Sequence, residues 1–218
     1  MALAQRTDPL RNFKFKIMIE PTGNLATLAP NLPRLGFAEM SGLSVTNELI
    51  AYREGGMNTH PHKMVGQSDF PPVSFSRGVF AMDNGQEQGD GGMWAWQQFI
   101  HAWNQGIPNG STGLSEDAGS NDYRCTITAL VYDHPYTRTG VSYLNQDMAE
   151  SQGSIKPGNV RLAFKLFNCW PGVFAMNGLN AGDNGILIQQ MTIHHEGFQI
   201  GVTPQQIQAL VPGISVTA

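Results

Sequence analysis

Three segments of the chain alternate apolar and polar side chains with a period of two, the pattern of a half-buried β-strand. In residues 13–20 one face carries Phe13, Phe15, Ile17 and Ile19. In residues 125–131 and 160–166 the alternation starts from Cys125 and Val160, and it places Leu130 and Ala163 on the opposite face. Weaker strand patterns cover residues 43–52, 73–80 and 186–200. The sequence therefore predicts a chain dominated by antiparallel strands.

The last of the weaker patterns changes parity along its length. Its apolar positions switch faces near Gln189 and Gln190, where an extra residue in the strand would restore the alternation. We therefore expect a β-bulge at this point.

One segment instead repeats its large apolar side chains at helical spacing, at Met93, Trp96, Ile100 and Trp103. Asp90 is available upstream as a cap, and Gly106 follows the segment. A second, short helix is expected to begin after Thr203 as N-cap, with Pro204 in its first turn, and to end near Val211. The prediction is therefore an all-β fold with one flanking α-helix and a short terminal helix.

The 218-residue chain is predicted to form a single domain spanning residues 1–218. Residues 104–122 are rich in Gly, Ser and Asn, and residues 133–159 are polar with several turn formers. Both stretches exceed ordinary hairpin loops and are interpreted as insertions. Residues 199–218 are interpreted as a C-terminal extension.

The composition indicates a surface that meets other protein. Hydrophobic residues make up 41% of the chain and charged residues only 14%, a low charge content for a free-standing soluble monomer. The net charge of -4 gives no general attraction for phosphate backbones, which disfavours nucleic-acid binding. We expect neither a membrane span, which needs about 20 apolar residues, nor a signal peptide.

The two cysteines and the histidines are the candidates for chemistry. Cys125 and Cys169 are expected to stay reduced and buried in a cytosolic chain, although a bridge between them is left open. A metal site would use the four histidines of two short motifs, but no carboxylate or cysteine stands near them at ligand spacing. These are His60, His62, His194 and His195. No phosphate-binding, nucleophile-elbow or zinc-protease motif occurs.

The tryptophans are interpreted as core and contact residues. Three of the four lie in the predicted helix, and its apolar stripe already uses Trp96 and Trp103. Trp94 lies off that stripe and is a candidate for a subunit interface.

Several segments, taken in order, resemble the tail tube family of contractile phages, which is shared with phage-derived extracellular contractile injection systems. They are DPLRNFKF at residues 8–15, GFAEMSGLS at 36–44, YREGGMNTH at 52–60, SFSRGV at 74–79, WAW at 94–96, FNCWP at 167–171, residues 176–184, and IQQMTIHHEGF at 188–198. Three features depart from the family pattern. They are Val65-Gly66 in place of Pro-Gly, Gln189 in place of a common Glu, and residues 133–159 in place of a tight hairpin.

The resemblance implies a barrel-like antiparallel β-sandwich of the phage tail tube type that assembles into hexameric rings. Stacked rings would form the hollow inner tube of a contractile tail or injection machine, assembled in the bacterial cytoplasm. Its partners would be the sheath, baseplate and tail terminator proteins. DNA or protein cargo would pass through the lumen without specific binding. The implied role is structural, with no catalytic residue, cofactor or metal.

A hairpin or loop at residues 49–66 is expected to carry much of the contact between subunits. Its side chains are interface-prone and its glycines permit close approach. The expected interface residues are Tyr52, Arg53, Glu54, Met57, His60 and His62, together with Trp94. Two alternatives remain: a metal-dependent hydrolase that uses the four histidines, and a monomeric lectin-like binding module.

Overall fold

The structure is a computed structural model, and it describes residues 10, 12–29, 32, 35–56, 59–79, 92–105, 123–132, 160–180, 182 and 185–212. The strands are β1 Phe15–Pro21, β2 Glu39–Ser41, β3 Thr46–Tyr52, β4 His62–Asp69, β5 Val73–Gly78, β6 Cys125–Tyr132, β7 Val160–Met176, β8 Ile188–His194 and β9 Gly197–Gly201. The helices are α1 Gly23–Leu28, α2 Gly92–Gln105 and α3 Pro204–Leu210. The proposed insertion at residues 133–159 and most of that at 104–122 lie outside the described residues.

All the described strands pair antiparallel, so the predicted fold class is confirmed. Seven of them form one sheet in the order β1-β6-β7-β8-β5-β2, with β9 also paired to β7. Within the described part of the chain this path stays open between β1 and β2 and does not close into a barrel. Strands β3 and β4 form a separate two-stranded ribbon.

The long strand β7 joins the two halves of the main sheet. Its first half pairs with β6 and β9, and its second half pairs with β8. Strands β8 and β9 follow the same edge of β7 in one register, since Trp170 lies opposite His194 and Phe167 opposite Gly197. The interruption between them falls where Asn168 adopts φ 52°, a left-handed conformation that an Asn tolerates.

The prediction of a β-bulge near Gln189 is wrong. Gln189 pairs in unbroken register with both Arg77 and Met176, and it is buried on the same face as Met191. Ile188 on the opposite face is exposed. A buried glutamine and an exposed isoleucine therefore imitate a change of parity in a strand that has none.

One hydrophobic core lies between the two halves of the sheet and α2. Side chains from both halves contribute, and α2 adds the stripe that its helical spacing predicts. The indole Nε1 of Trp96 donates a hydrogen bond to the carbonyl oxygen of Tyr123 at 2.7 Å, which satisfies the polar atom of a fully buried ring. The core includes Ile17, Ile19, Val73, Phe75, Met93, Trp96, Phe99, Ile127, Leu166, Met191 and Ile193.

A second, smaller core lies on the other face of β6 and β7, under α3. Leu130 and Ala163, which the alternation places opposite the main core, are fully buried here beside Ile207 of α3. The helix starts as expected, because Thr203 and Gln206 form a reciprocal capping box. The half-buried pattern predicted for these two strands is thus wrong on this face, since the C-terminal helix covers it.

Candidate assembly surface

The ribbon of β3 and β4 is a long hairpin that stands apart from the main sheet. Thr46 lies opposite Asp69 at its base, and Tyr52 lies opposite His62 towards its turn. The turn contains Gly56 at φ 94°, a backbone conformation that favours glycine. The hairpin expected within residues 49–66 is confirmed, and it extends further at both ends.

Both faces of this hairpin carry exposed apolar side chains. Leu49 lies opposite Val65 on one face, and the next pair, Ile50 with Met64, lies on the other. The exposed fractions of Leu49 and Val65 are 58% and 79%. Two-stranded hairpins are marginally stable in water, and large exposed apolar patches on soluble proteins mark interaction sites. The hairpin therefore has the character of a contact surface.

Side-chain contacts hold the hairpin at its base. Ser68 Oγ donates to Asn47 Oδ1 at 2.6 Å, near a register shift in β3. A Cβ atom at Gly66 would lie 3.1 Å from the carbonyl oxygen of Glu48, so a side chain there would press on the opposite strand. Gly66 therefore allows the two strands to approach closely at this irregular point.

The connection from β4 to β5 is anchored in the body of the protein by an aromatic cluster. The ring of Phe70 lies 5.8 Å from that of buried His195 and 6.0 Å from that of Phe198. Burial disfavours the charged imidazolium and lowers the pKa of His195, so a neutral ring is favoured in this cluster. The cluster fixes the point at which the hairpin leaves the main sheet.

The described interface candidates of the hairpin all lie at its outer part and are exposed to solvent. The ring of His60, just before β4, lies 6.4 Å from that of His62, the first residue of β4. Met57 lies outside the described residues. The exposed candidates are Tyr52, Arg53, Glu54, His60 and His62.

Trp94 is exposed as expected but belongs to a different surface. It lies on α2 with 46% of its area exposed, and its ring is 5.5 Å from that of Phe174 on β7. The structure therefore places it beside the second half of β7 and not on the hairpin.

The four histidines are not arranged as a metal centre. His194 stacks on Trp170, with ring centroids 4.5 Å apart, whereas its neighbour His195 lies in the aromatic cluster with Phe70. In the part of the chain that the structure describes, no group of three or more His, Cys, Asp or Glu side chains could hold a metal ion. Likewise, no described helix is long and apolar enough to span a membrane.

The apolar members of the contact surface are not among the interface residues predicted from the sequence. Consecutive apolar residues, Leu49-Ile50 and Met64-Val65, place apolar side chains on both faces of a strand, and this loss of alternation is the signal that could have identified them. A second exposed apolar group lies along the end of β7, the connection after it and the start of β8. It comprises Val173, Met176, Leu179, Ile186 and Ile188.

Comparison with known proteins gives a family. The family model of the T4-like virus tail tube protein gp19 matches residues 11–199. A search of curated protein sequences found no match to this chain.

Solved structures with the same fold include chains of an anti-feeding prophage and of an extracellular contractile injection system. A chain of the anti-feeding prophage (AFP) baseplate, 6-fold symmetrised, shares 16% identity at a TM-score of 0.58, covering 90% of this chain and 97% of that chain. A chain of the AFP tube terminating cap shares 18% identity at 0.57, covering 93% and 100%. A chain of the PVC sheath-tube complex of an extracellular contractile injection system shares 15% at 0.52, covering 89% and 93%.

The TM-scores of these three chains show a shared fold, and the family match covers most of the chain. The antiparallel sheet, the flanking helix and the projecting hairpin all lie within the matched residues 11–199. The chain therefore belongs to the T4-like virus tail tube protein family and is a structural tube subunit.

Proposed function

We propose that the chain forms hexameric rings that stack into the inner tube of a phage tail or extracellular contractile injection particle. The rings enclose a hollow conduit for DNA or protein cargo. The role is mechanical and not enzymatic, with no cofactor or metal. The observation that carries the proposal is that the hairpin of β3 and β4 presents exposed apolar side chains on both of its faces.

A neighbouring subunit is the occupant that suits this hairpin. The pair Leu49 and Val65 on one face and the pair Ile50 and Met64 on the other can be covered from two sides at once. Within a stack of rings, a projecting arm meets both a neighbour in its own ring and a subunit of the next ring. Burial of these side chains would offset the cost of holding a two-stranded arm in water.

The comparisons support the number of subunits and the partners. The AFP baseplate structure is described as 6-fold symmetrised, and the other similar chains come from a tube terminating cap and a sheath-tube complex. We infer that this chain forms a six-membered ring and contacts sheath, terminator and baseplate proteins. Closed rings also agree with the low charged content of 14%, because much of the surface would be covered by other subunits.

Electron microscopy of the purified full chain tests this function. We expect six-fold rings or tubes, and size-exclusion chromatography should show an assembly whose proportion rises with concentration. A strictly monomeric species at high concentration, with no rings in the micrographs, would contradict the proposal and favour the monomeric binding module. Metal analysis of the same sample addresses the hydrolase alternative, for which a stoichiometric bound metal is required.

A further inference from the structure

The two cysteines of the chain meet at one point of the main sheet. Cys125 is the first residue of β6, and it pairs directly with Cys169 of β7. Both are free thiols, and their exposed fractions are only 2% and 0%. They lie in the same hydrophobic core, so both side chains are on the inner face of this strand pair.

The strand geometry brings the pair within the range of a disulfide. Directly opposite residues of antiparallel strands have Cα atoms about 4.5–5.5 Å apart. Disulfides form with Cα atoms about 4.4–6.8 Å apart. The register shifts just after the pair, where Asn168 adopts its left-handed conformation. The cysteines thus lie at the end of the β6–β7 ladder, where small adjustments of the backbone are easiest.

Burial explains why such a pair can remain reduced. Disulfide exchange requires a thiolate, and burial raises the pKa of Cys169 to about 12. Burial and the nearby Cys169 sulfur also raise the pKa of Cys125. Oxidation therefore requires transient opening of the end of the β6–β7 ladder, so the reaction is slow in the folded subunit.

We propose that Cys125 and Cys169 are a latent cross-strand disulfide site, oxidised when the chain passes from a reducing to an oxidising environment. The oxidant is a small-molecule disulfide of the glutathione class. One cysteine thiolate attacks this disulfide and releases one glutathione thiolate, which leaves a mixed disulfide on the protein. The second cysteine thiolate then displaces the other glutathione. The protein loses two protons and two electrons, and two molecules of reduced glutathione form.

The bond would tie β6 to β7 at the place where β7 leaves β6 and continues beside β8. It would also close a long loop of the chain that includes residues 133–159, and closure of long loops restricts the unfolded state most strongly. The benefit to a particle outside the cell rests on the proposed function, whereas the chemistry of the pair does not.

The test uses the full chain and oxidised glutathione in excess. One sample is incubated folded, a few degrees below its Tm, and another is refolded from denaturant so that access to the thiols is not limiting. We expect both free thiols to disappear and the intact mass to fall by about 2 Da for the two hydrogens lost. The Tm should rise by about 5–15 °C and return to its starting value when a reductant is added.

Cys125→Ala is the matched control, since it leaves Cys169 without a partner thiol in the chain. Its remaining thiol should stay free or carry one glutathione, and its Tm should not rise on oxidation. The proposal is overturned if wild-type chains from both samples keep two free thiols, carry two glutathiones or form covalent dimers. An oxidised monomer no more stable than the reduced form would also overturn it. These measurements need no tubes, so their failure is distinguishable from failure of assembly.

Discussion

Removal of the apolar pair on one face of the hairpin should block assembly and leave the fold intact. The double variant Leu49→Ser, Val65→Ser alters side chains that are 58% and 79% exposed in the single subunit. Surface substitutions of this kind change the free energy of unfolding by about 0.5 kcal/mol or less each. The circular dichroism spectrum and the Tm should therefore stay close to those of the wild type.

The effect on assembly should be larger, because the proposed tube would bury these exposed fractions between subunits. Full burial of a Val or Leu side chain is worth about 1.5–3 kcal/mol, so the two exposed fractions together account for about 2–4 kcal/mol per subunit. Since about 1.4 kcal/mol corresponds to a tenfold change, the critical concentration for tube formation should rise by about 30- to 700-fold. Light scattering and sedimentation across a concentration series measure this directly.

Val202→Ser is the matched control, because Val202 is 63% exposed and lies between β9 and α3, away from the hairpin. It should change the critical concentration much less than the double variant does. If the double variant assembles at the wild-type critical concentration, or if Val202→Ser raises that concentration by the same factor, the hairpin does not form the inferred subunit interface.

Three further outcomes are expected for changes at single residues. Arg53→Ala and Glu54→Ala should each leave the fold unchanged but slow assembly in light scattering. Truncating a charged side chain that is paired and desolvated between subunits costs about 2–5 kcal/mol of binding free energy, whereas truncating an exposed one costs about 0–1 kcal/mol. Wild-type rates for both variants would place these residues outside the interface. The folded-state pKa of His195 is lowered from 6.5, so the stabilisation by its neutral ring should be fully present above pH 6.5 and be lost as pH falls through the folded-state pKa. The Tm should therefore drop below pH 6.5, and His195→Gln should flatten this part of the Tm profile. A Cβ at Gly172 would lie 2.5 Å from His194 Nε2, so Gly172→Ala should lower the free energy of unfolding by about 1–3 kcal/mol in urea titrations. If Gly172→Ala costs the same amount in a His194→Ala background, this clash is not the cause.

Local periodicity determined most of the secondary structure. The alternation from Phe15 to Ile19 identifies β1, and the helical spacing of Met93 and Trp96 identifies α2 and its buried face. The Thr203 cap identifies the start of α3. These signals are readable because backbone geometry fixes which side chains share a face over a few residues. The short helix α1 was not predicted.

The order of segments in the chain also indicated the family, and the match over residues 11–199 confirms it. The hairpin was expected as the contact arm on its composition and glycines. The candidate residues remain predictions, because their role depends on subunits that a single chain does not contain.

Only the tertiary structure decided which faces are covered. Leu130 and Ala163 are buried because α3 returns over β6 and β7, whereas Leu49 and Val65 stay exposed because no described strand packs on β3 and β4. Cys125 and Cys169 are distant in sequence, yet the β6–β7 register sets them opposite each other. Periodicity records which side chains share a face, but contacts between distant segments determine whether that face meets protein or water.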